Sequence, residues 1–326
     1  MRKGDMVVTL KRVVALDHPD PRGLDPALVG PQAELIDASG RADAHELCES
    51  ADVILADAAP VTAELVGRMR RCRLICSYGV GVDNIDVAAA TAAGIHVSRA
   101  PSYCVEELAD HTMALILAAT RGVVRYHDHV RSGGWDHCGA GTLRRSRGRV
   151  LGLLGLGRVG RAVATRAAAF GFRVLATVPV ADGPHAAFAE LVPLERLVAE
   201  ADVLSLHAPL TPGTRHVISA AELAAMKPTA YLVNTARGGL VDQPALLAAL
   251  RDGRLAGAAL DVLATEPPDA HEELLALPNV IVTPHAGFYS EESLVDLTQE
   301  VFSEVRAALN GDRPRNAINQ PAARGA

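Results

Sequence analysis

The feature that most constrains this chain is the segment from Val150 to Gly160. An apolar run, Val150-Leu-Gly-Leu-Leu154, leads directly into Gly155-Leu-Gly157-Arg-Val-Gly160. An Ala-rich helical stretch, Arg161–Phe170, follows, and Phe172-Arg-Val-Leu175 begins the next apolar run. G-x-G-x-x-G in a strand–turn–helix–strand setting is a fingerprint for binding a dinucleotide pyrophosphate. Gly155 permits the tight turn, Gly157 lets backbone approach the phosphates, and Gly160 allows close helix packing. The helix start adds free N–H groups and the positive end of its dipole.

Short, continuous apolar runs alternate with helical patterns along the rest of the chain. Arg12–Leu16, Val53–Leu55, Leu74–Cys76 and Ile95–Val97 form one set. Val150–Leu154, Val174–Ala176, Val203–Leu206, Tyr231–Val233, Gly257–Leu260 and Val280–Val282 form another. Continuous apolar strands are those covered on both faces, as in parallel sheets. The two sets share a local pattern. Ala51-Asp-Val-Ile-Leu55, a Pro-bearing loop and Thr62-Ala-Glu-Leu65 parallel Ala201-Asp-Val-Leu-Ser205, a Pro-bearing loop and Ala221-Glu-Leu223. The expectation is an α/β chain of two Rossmann/flavodoxin-like doubly wound parallel-sheet domains with a cleft between them. A helical run from Val105 to Val130 and the turn Ser132–Trp135 read as a crossover helix and an extended arm. A last amphipathic helix, Ser290–Leu309, ends at the stop signal Asn310-Gly311 and returns to the first domain. The expected domains are 1–103 with 288–326 for substrate, and 104–287 for the dinucleotide, with hinge crossings near 103 and 288.

Composition excludes several classes. A chain of 326 residues, 49% apolar, supports two domains and is not disordered. A net charge of −6 with scattered Arg does not suit nucleic acid. No apolar run approaches the roughly 18 residues of a membrane span. Met1–Arg12 lacks the pattern of a secretory signal, so a cytoplasmic protein is expected. The five cysteines are odd in number and lack a Cys-x-x-Cys pair, so they read as buried free thiols. His127 and His129, two apart, point to different helix faces, and no metal site is expected.

Three polar segments each follow an apolar strand of the second set: Val233-Asn-Thr-Ala-Arg237-Gly-Gly-Leu-Val-Asp242, Leu260-Asp261-Val-Leu-Ala-Thr-Glu266-Pro-Pro268 and Val282-Thr-Pro-His285-Ala-Gly287. Ligands collect at the carboxyl ends of parallel strands, so the three can converge. Arg237, Glu266 and His285 form a set suited to reducing a 2-oxo acid. Arg forks onto a carboxylate and polarises the neighbouring carbonyl. His donates the proton an alkoxide needs, and Glu orients the imidazole.

Val178 ends the second strand, where sites preferring NAD place an acidic residue to grip the ribose. Valine accepts no hydrogen bond, the nearest carboxylate is Asp182, and no Arg follows for a 2′-phosphate. NAD is the expectation, because an unpaired phosphate dianion is costlier to hold than a hydroxyl, but NADP stays open.

In these segments, and over nearly its whole length, the sequence resembles the D-2-hydroxyacid dehydrogenase family. Tyr78-Gly-Val-Gly81-Val-Asp83-Asn84-Ile-Asp86 is similar to its substrate loop, and Pro101–His111 to the helix start that follows. Gly155–Gly160, Asn234–Gly239, Asp261–Pro267 and Pro284–Gly287 are similar to its signature segments. The resemblance implies hydride transfer between a nicotinamide cofactor and a 2-oxo or D-2-hydroxy acid, with Arg237 binding substrate, Glu266 partnering the histidine and His285 donating the proton. It implies backbone amides at Val80 and Gly81 holding the substrate carboxylate beside Tyr78. Arg158 and Val159 would lie against the pyrophosphate; His207, Ala208, Pro209, Thr235, Ala236, Asp261 and Gly287 would line the cofactor with Val178. Tyr78, Tyr103 and Asp57 are candidate pocket walls. Homodimers through the cofactor domain and the arm near 121–148 are implied. The loop Ala56–Pro60 lacks the basic residue several members carry, which disfavours a phosphorylated substrate. The segment Pro101–His111 is also similar to the corepressor branch, which suggests the alternative of an NAD(H)-sensing interaction module.

Overall fold

The structure, a computed structural model, describes residues 10–20, 23–178 and 187–322. It divides into two compact units, Met1–Tyr103 with Ser290–Ala326, and Cys104–Tyr289.

The first unit holds five strands: β1 (Lys11–Ala15), β2 (Ala33–Asp37), β3 (Val53–Ala56), β4 (Leu74–Ser77) and β5 (His96–Ser98). They pair in the order β2-β1-β3-β4-β5, every ladder parallel. This is the flavodoxin-like winding. Helices α1 (Ala44–Glu49), α2 (Ala63–Arg68) and α3 (Val87–Ala92) cover one face, burying Cys48, Leu65, Val66 and Ala90. The other face packs on the helix Glu291–Asn310, here α10, through Leu297, Val301, Phe302 and Val305. Each such side chain contributes about 1.5–3 kcal/mol on leaving water.

The second unit begins with α4 (Val105–Arg121) and α5 (Val123–Arg131). The single helical run expected from Val105 to Val130 is broken at Gly122, which adopts φ 63°. A Cβ there would lie 2.8 Å from the Ala140 Cβ, so the arm's own packing requires glycine, and the helix ends. Seven strands follow: β6 (Val150–Leu154), β7 (Arg173–Thr177), β8 (Glu190–Leu191), β9 (Val203–Leu206), β10 (Tyr231–Asn234), β11 (Gly257–Leu260) and β12 (Val280–Val282). Their order is β12-β11-β10-β9-β6-β7-β8, all parallel. The order reverses between β6 and β9, the switch point where doubly wound sheets bind ligands. Leu151 and Leu153 pack on the layer of α4 and α6 (Arg158–Ala169); Val150 and Leu154 pack on the opposite layer, which holds α7 (Leu194–Glu200), α8 (Ala220–Ala225) and α9 (Gln243–Arg251). Both faces being apolar explains why β6 reads as an unbroken run.

The repeated Ala-Asp motif does the same job in both units. Asp52 Oδ2 accepts the Arg12 N–H at 2.8 Å, and Asp202 Oδ2 accepts the Val150 N–H at 2.8 Å. Each carboxylate satisfies the N–H at the start of the strand beside its own. Among the described residues no helix is long and apolar enough to cross a membrane. Cys48, Cys72, Cys76 and Cys104 are buried free thiols; Cys138 departs from the expectation and is exposed.

Candidate active site

The turn after β6 is built by glycines. Gly155 has φ 101°, and a Cβ there would lie 2.6 Å from the His207 carbonyl oxygen. At Gly160 it would lie 2.5 Å from the Gly155 oxygen, so strand, turn and α6 close on one another only without side chains. Gly157 differs: a Cβ would meet no protein atom within 4 Å. It caps the N-terminus of α6, and no side chain caps there. Protein packing does not require glycine at 157, whereas a phosphate approaching the free N–H groups of α6 does. The residues present therefore fit a dinucleotide pyrophosphate, with Arg158 and Val159 opening the helix behind it.

The rest of the expected cofactor surface lies at the ends of β7, β9 and β10. His207 donates its backbone N–H to Leu154 at 2.7 Å and shares a 2.9 Å hydrogen bond between Nε2 and Ser205 Oγ. Burial pushes it down to about 4, so it is neutral at pH 7. Ala208 is buried, and the exposed Pro209 accepts the Thr214 hydroxyl. Thr235 is buried against Thr112 of α4, with hydroxyl oxygens 2.8 Å apart. Val178 packs half-buried against the α6-side core. Pro179 and Asp182, beyond it, lie outside the described residues.

Arg237 follows β10 at the end of a turn that Asn234 shapes. Asn234 Oδ1 accepts the Ala236 N–H at 3.0 Å, and its Nδ2 donates to the Arg237 carbonyl at 2.9 Å. Arg237 Nη1 donates to the Ala236 carbonyl at 2.8 Å. Gly238 then lies against the loop after β11: a Cβ would fall on the Leu263 carbonyl and 2.5 Å from Ala264 N. That loop carries Glu266, whose Oε1 accepts the Leu263 N–H at 2.8 Å. Its Oε2 meets His285 Nδ1 at 2.6 Å. Burial opposes ionisation of Glu266, but the hydrogen bonds from His285 and Leu263 and the charge of Arg237 outweigh it and hold the carboxyl below its usual range.

His285 sits after β12 in the left-handed region, φ 53°. Asp261, buried at the end of β11, fixes this turn. Its carbonyl accepts the His285 N–H at 2.8 Å, Oδ1 accepts Ala286 N–H at 3.0 Å and Thr283 Oγ1–H at 2.5 Å, and Oδ2 accepts Gly287 N–H at 2.9 Å. Burial again opposes its charge, but His111, Thr283 and the two amides prevail and its pKa is lowered. Expected to line the cofactor, Asp261 is also the anchor of the His285 turn.

In the first unit, Val80 is partly exposed and Gly81 accepts the Ser77 hydroxyl at 2.6 Å. Tyr78 departs from the expectation of a pocket wall. It is 1% exposed, meets Phe302 edge-on and is hydrogen-bonded to Thr298 at 3.3 Å. Burial pushes its hydroxyl up to about 12. Its ring is core, because α10 returns over it from more than 200 residues away.

A sequence profile decides the ancestry: the NAD binding domain of D-isomer specific 2-hydroxyacid dehydrogenases matches residues 113–287. The chain belongs to that family. A glyoxylate reductase of Korarchaeum cryptofilum is 41% identical over 84% of this chain and 83% of its own length. A glycerate dehydrogenase of Methylorubrum extorquens is 37% identical over 84% and 87%. Among solved structures, a D-lactate dehydrogenase from Aquifex aeolicus complexed with NAD and lactic acid superposes with a TM-score of 0.84 at 30% identity, covering 96% of this chain and all of that one. This 2-hydroxyacid dehydrogenase is thus an NAD-linked oxidoreductase that transfers hydride between a nicotinamide cofactor and a 2-oxo or 2-hydroxy acid. The motifs single out Arg237, Glu266 and His285, and the structure pairs the last two. They give no role to Asn234, whose bonds to Ala236 and Arg237 are local, nor to Gly238, His111 and Thr112, whose partners are distant in sequence.

Proposed function

We propose that the chain reduces a small monocarboxylic 2-oxo acid such as glyoxylate, with Arg237, Glu266 and His285 as its catalytic residues. The carrying observation is the 2.6 Å pairing of His285 Nδ1 with Glu266. With Nδ1 so engaged, Nε2 is the atom left to give a proton to the oxygen that becomes the hydroxyl. Glu266 holds the ring in place through Nδ1. Arg237 binds the carboxylate and polarises the carbonyl. The nicotinamide group, when bound, supplies the hydride.

A substrate without a second anionic group is supported by the β3–α2 loop. Backbone N–H groups of Asp57, Ala58 and Ala59 already donate to the Asp17 carboxylate at 2.7, 2.8 and 2.7 Å. Asp57 Oδ1 lies 3.8 Å from the point where a Gly79 side chain would begin, so this loop presents negative charge to its neighbour. A homodimer through the arm is proposed as well, supported by Val123, Val130 and Trp135, which is 88% exposed. A cytoplasmic location suits the free thiols.

The test is NADH oxidation with a panel of 2-oxo acids, beside His285→Ala. Turnover of glyoxylate-sized acids and a roughly 10²–10⁴-fold loss of kcat in the variant are expected. No turnover of any monocarboxylic 2-oxo acid, or an unaffected variant, refutes the reading.

A further inference from the structure

Helix α4 brings one more polar group to the loop of the proton donor. His111 Nε2 lies 3.0 Å from Thr283 Oγ1 and 3.3 Å from Asp261 Oδ1. The Thr283 hydroxyl hydrogen is already committed, because Oγ1 donates to Asp261 Oδ1 at 2.5 Å. What Thr283 offers His111 is a lone pair. Both atoms facing Nε2 are therefore acceptors, and Nε2 carries the hydrogen.

What this hydrogen bond supports is a backbone turn that side-chain-bearing residues rarely adopt. His285 has φ 53°, and a non-glycine residue stays in that region only where its surroundings over-determine it. Here the Asp261 carbonyl and carboxylate together bind the N–H groups of His285, Ala286 and Gly287. The space behind the turn is closed by α4. A Cβ on Gly287 would lie 2.7 Å from Leu108 Cδ1, 2.9 Å from Asp261 Oδ2 and 3.1 Å from His111 Cδ2. Asp261 can serve the turn only while its carboxylate plane is fixed, and His111 and Thr283 meet it at Oδ1 from outside the turn's own amides.

We propose that His111 is a positioning residue for the proton donor: its Nε2–H locks Thr283 and Asp261, and Asp261 in turn holds His285 in the left-handed turn that aims Nδ1 at Glu266. The proposal rests on the reading of His285 as proton donor. His111 touches neither substrate nor cofactor in this role.

The test compares His111→Gln, which keeps an N–H donor at similar reach, with His111→Leu, which fills the space without one. In His111→Leu, kcat for the 2-oxo acid should fall about 10–100-fold, the scale of a misplaced catalytic group. KM should change little, the isotope effect with deuterated NADH should rise, and NADH affinity by fluorescence should stay within about twofold. His111→Gln should restore kcat to within about threefold of the parent. Thr283→Val, which removes the lone pair, should reproduce the loss, and combining it with His111→Leu should add little further. Nitrogen-15 spectra of the imidazole in the enzyme without substrate should show hydrogen on His111 Nε2. That last readout stands whether or not His285 proves catalytic, so it separates failure of this proposal from failure of the functional reading. An Nδ1–H tautomer overturns the proposal. So does a glutamine variant as slow as the leucine one, or a leucine variant that melts earlier but turns over normally while folded.

Discussion

Gly238→Ala offers a direct test of how rigidly the site is built. Gly238 has an ordinary backbone conformation, so the substitution carries no φ penalty and acts through space alone. The added methyl would fall on the Leu263 carbonyl and 2.5 Å from Ala264 N. Carbon and backbone nitrogen need about 3.3–3.5 Å, so the two loops must separate by about 1 Å, since neither neighbour is the flexible end of a side chain. The turn that moves carries Arg237 immediately before the methyl. The loop that moves carries Glu266 two residues beyond Ala264, and with it the partner of His285. A misplacement of about 1 Å at a reacting constellation costs about 10² in rate, while overpacking costs about 1–3 kcal/mol of stability. The expected result is kcat/KM about 100-fold lower, measured with saturating NADH well below the melting temperature, with a folded protein and a modest fall in Tm. Activity within twofold of the parent would show that the two loops are not a rigid pair and refute the reasoning.

Arg237→Lys should lose most of kcat/KM for the 2-oxo acid, because an ammonium cannot fork onto carboxylate and carbonyl together; near-normal kinetics would exclude the fork. Val178→Asp should sharpen the preference for NADH over NADPH by about 1–3 kcal/mol, read as the ratio of kcat/KM values; an unchanged ratio would mean that residue 178 faces the core it packs on. Burial pushes the Glu304 carboxyl above its ordinary 4.5, against the N–H groups of Asn316 and Arg315. A raised value means stability that is present below pH 4.5 and lost as pH rises through the shifted value. The Tm advantage of Glu304→Gln over the parent should therefore be flat in acid and grow towards pH 7; an advantage independent of pH would contradict the linkage.

The readable parts of this chain were those in which one local pattern carried one cause. β6 is apolar on both faces and appears as an unbroken run, and the motif from Gly155 to Gly160 announces its turn. β2, Ala-Glu-Leu-Ile-Asp, is an edge strand with one flank against solvent, so its Glu34 and Asp37 hid it. β8 has only two residues and takes its place from pairing with β7. Gly122 was passed over because the steric need for it comes from Ala140, outside the helix. Arg237, Glu266 and His285 were legible because their chemistry is written in residue type. His111 and Thr112 act by hydrogen bonds to groups set by the three-dimensional path of the chain, and Tyr78 reads as a wall in sequence but is covered by α10.

The path of the chain has a consequence for biosynthesis. The first unit is split: its sheet is made early, but the helix that closes one face, with Leu297, Val301 and Phe302, is made last. Asn319 then ties the edge at β5, accepting the Val97 N–H at 2.8 Å and donating to the Ile95 carbonyl at 2.9 Å. A ribosome therefore releases a complete second unit, Cys104–Tyr289, before the first can finish its core. Through that interval the apolar face of β1, β3 and β4 has no permanent cover. The nascent chain must protect it with transient contacts or a chaperone, and the middle of the chain is the part that matures first.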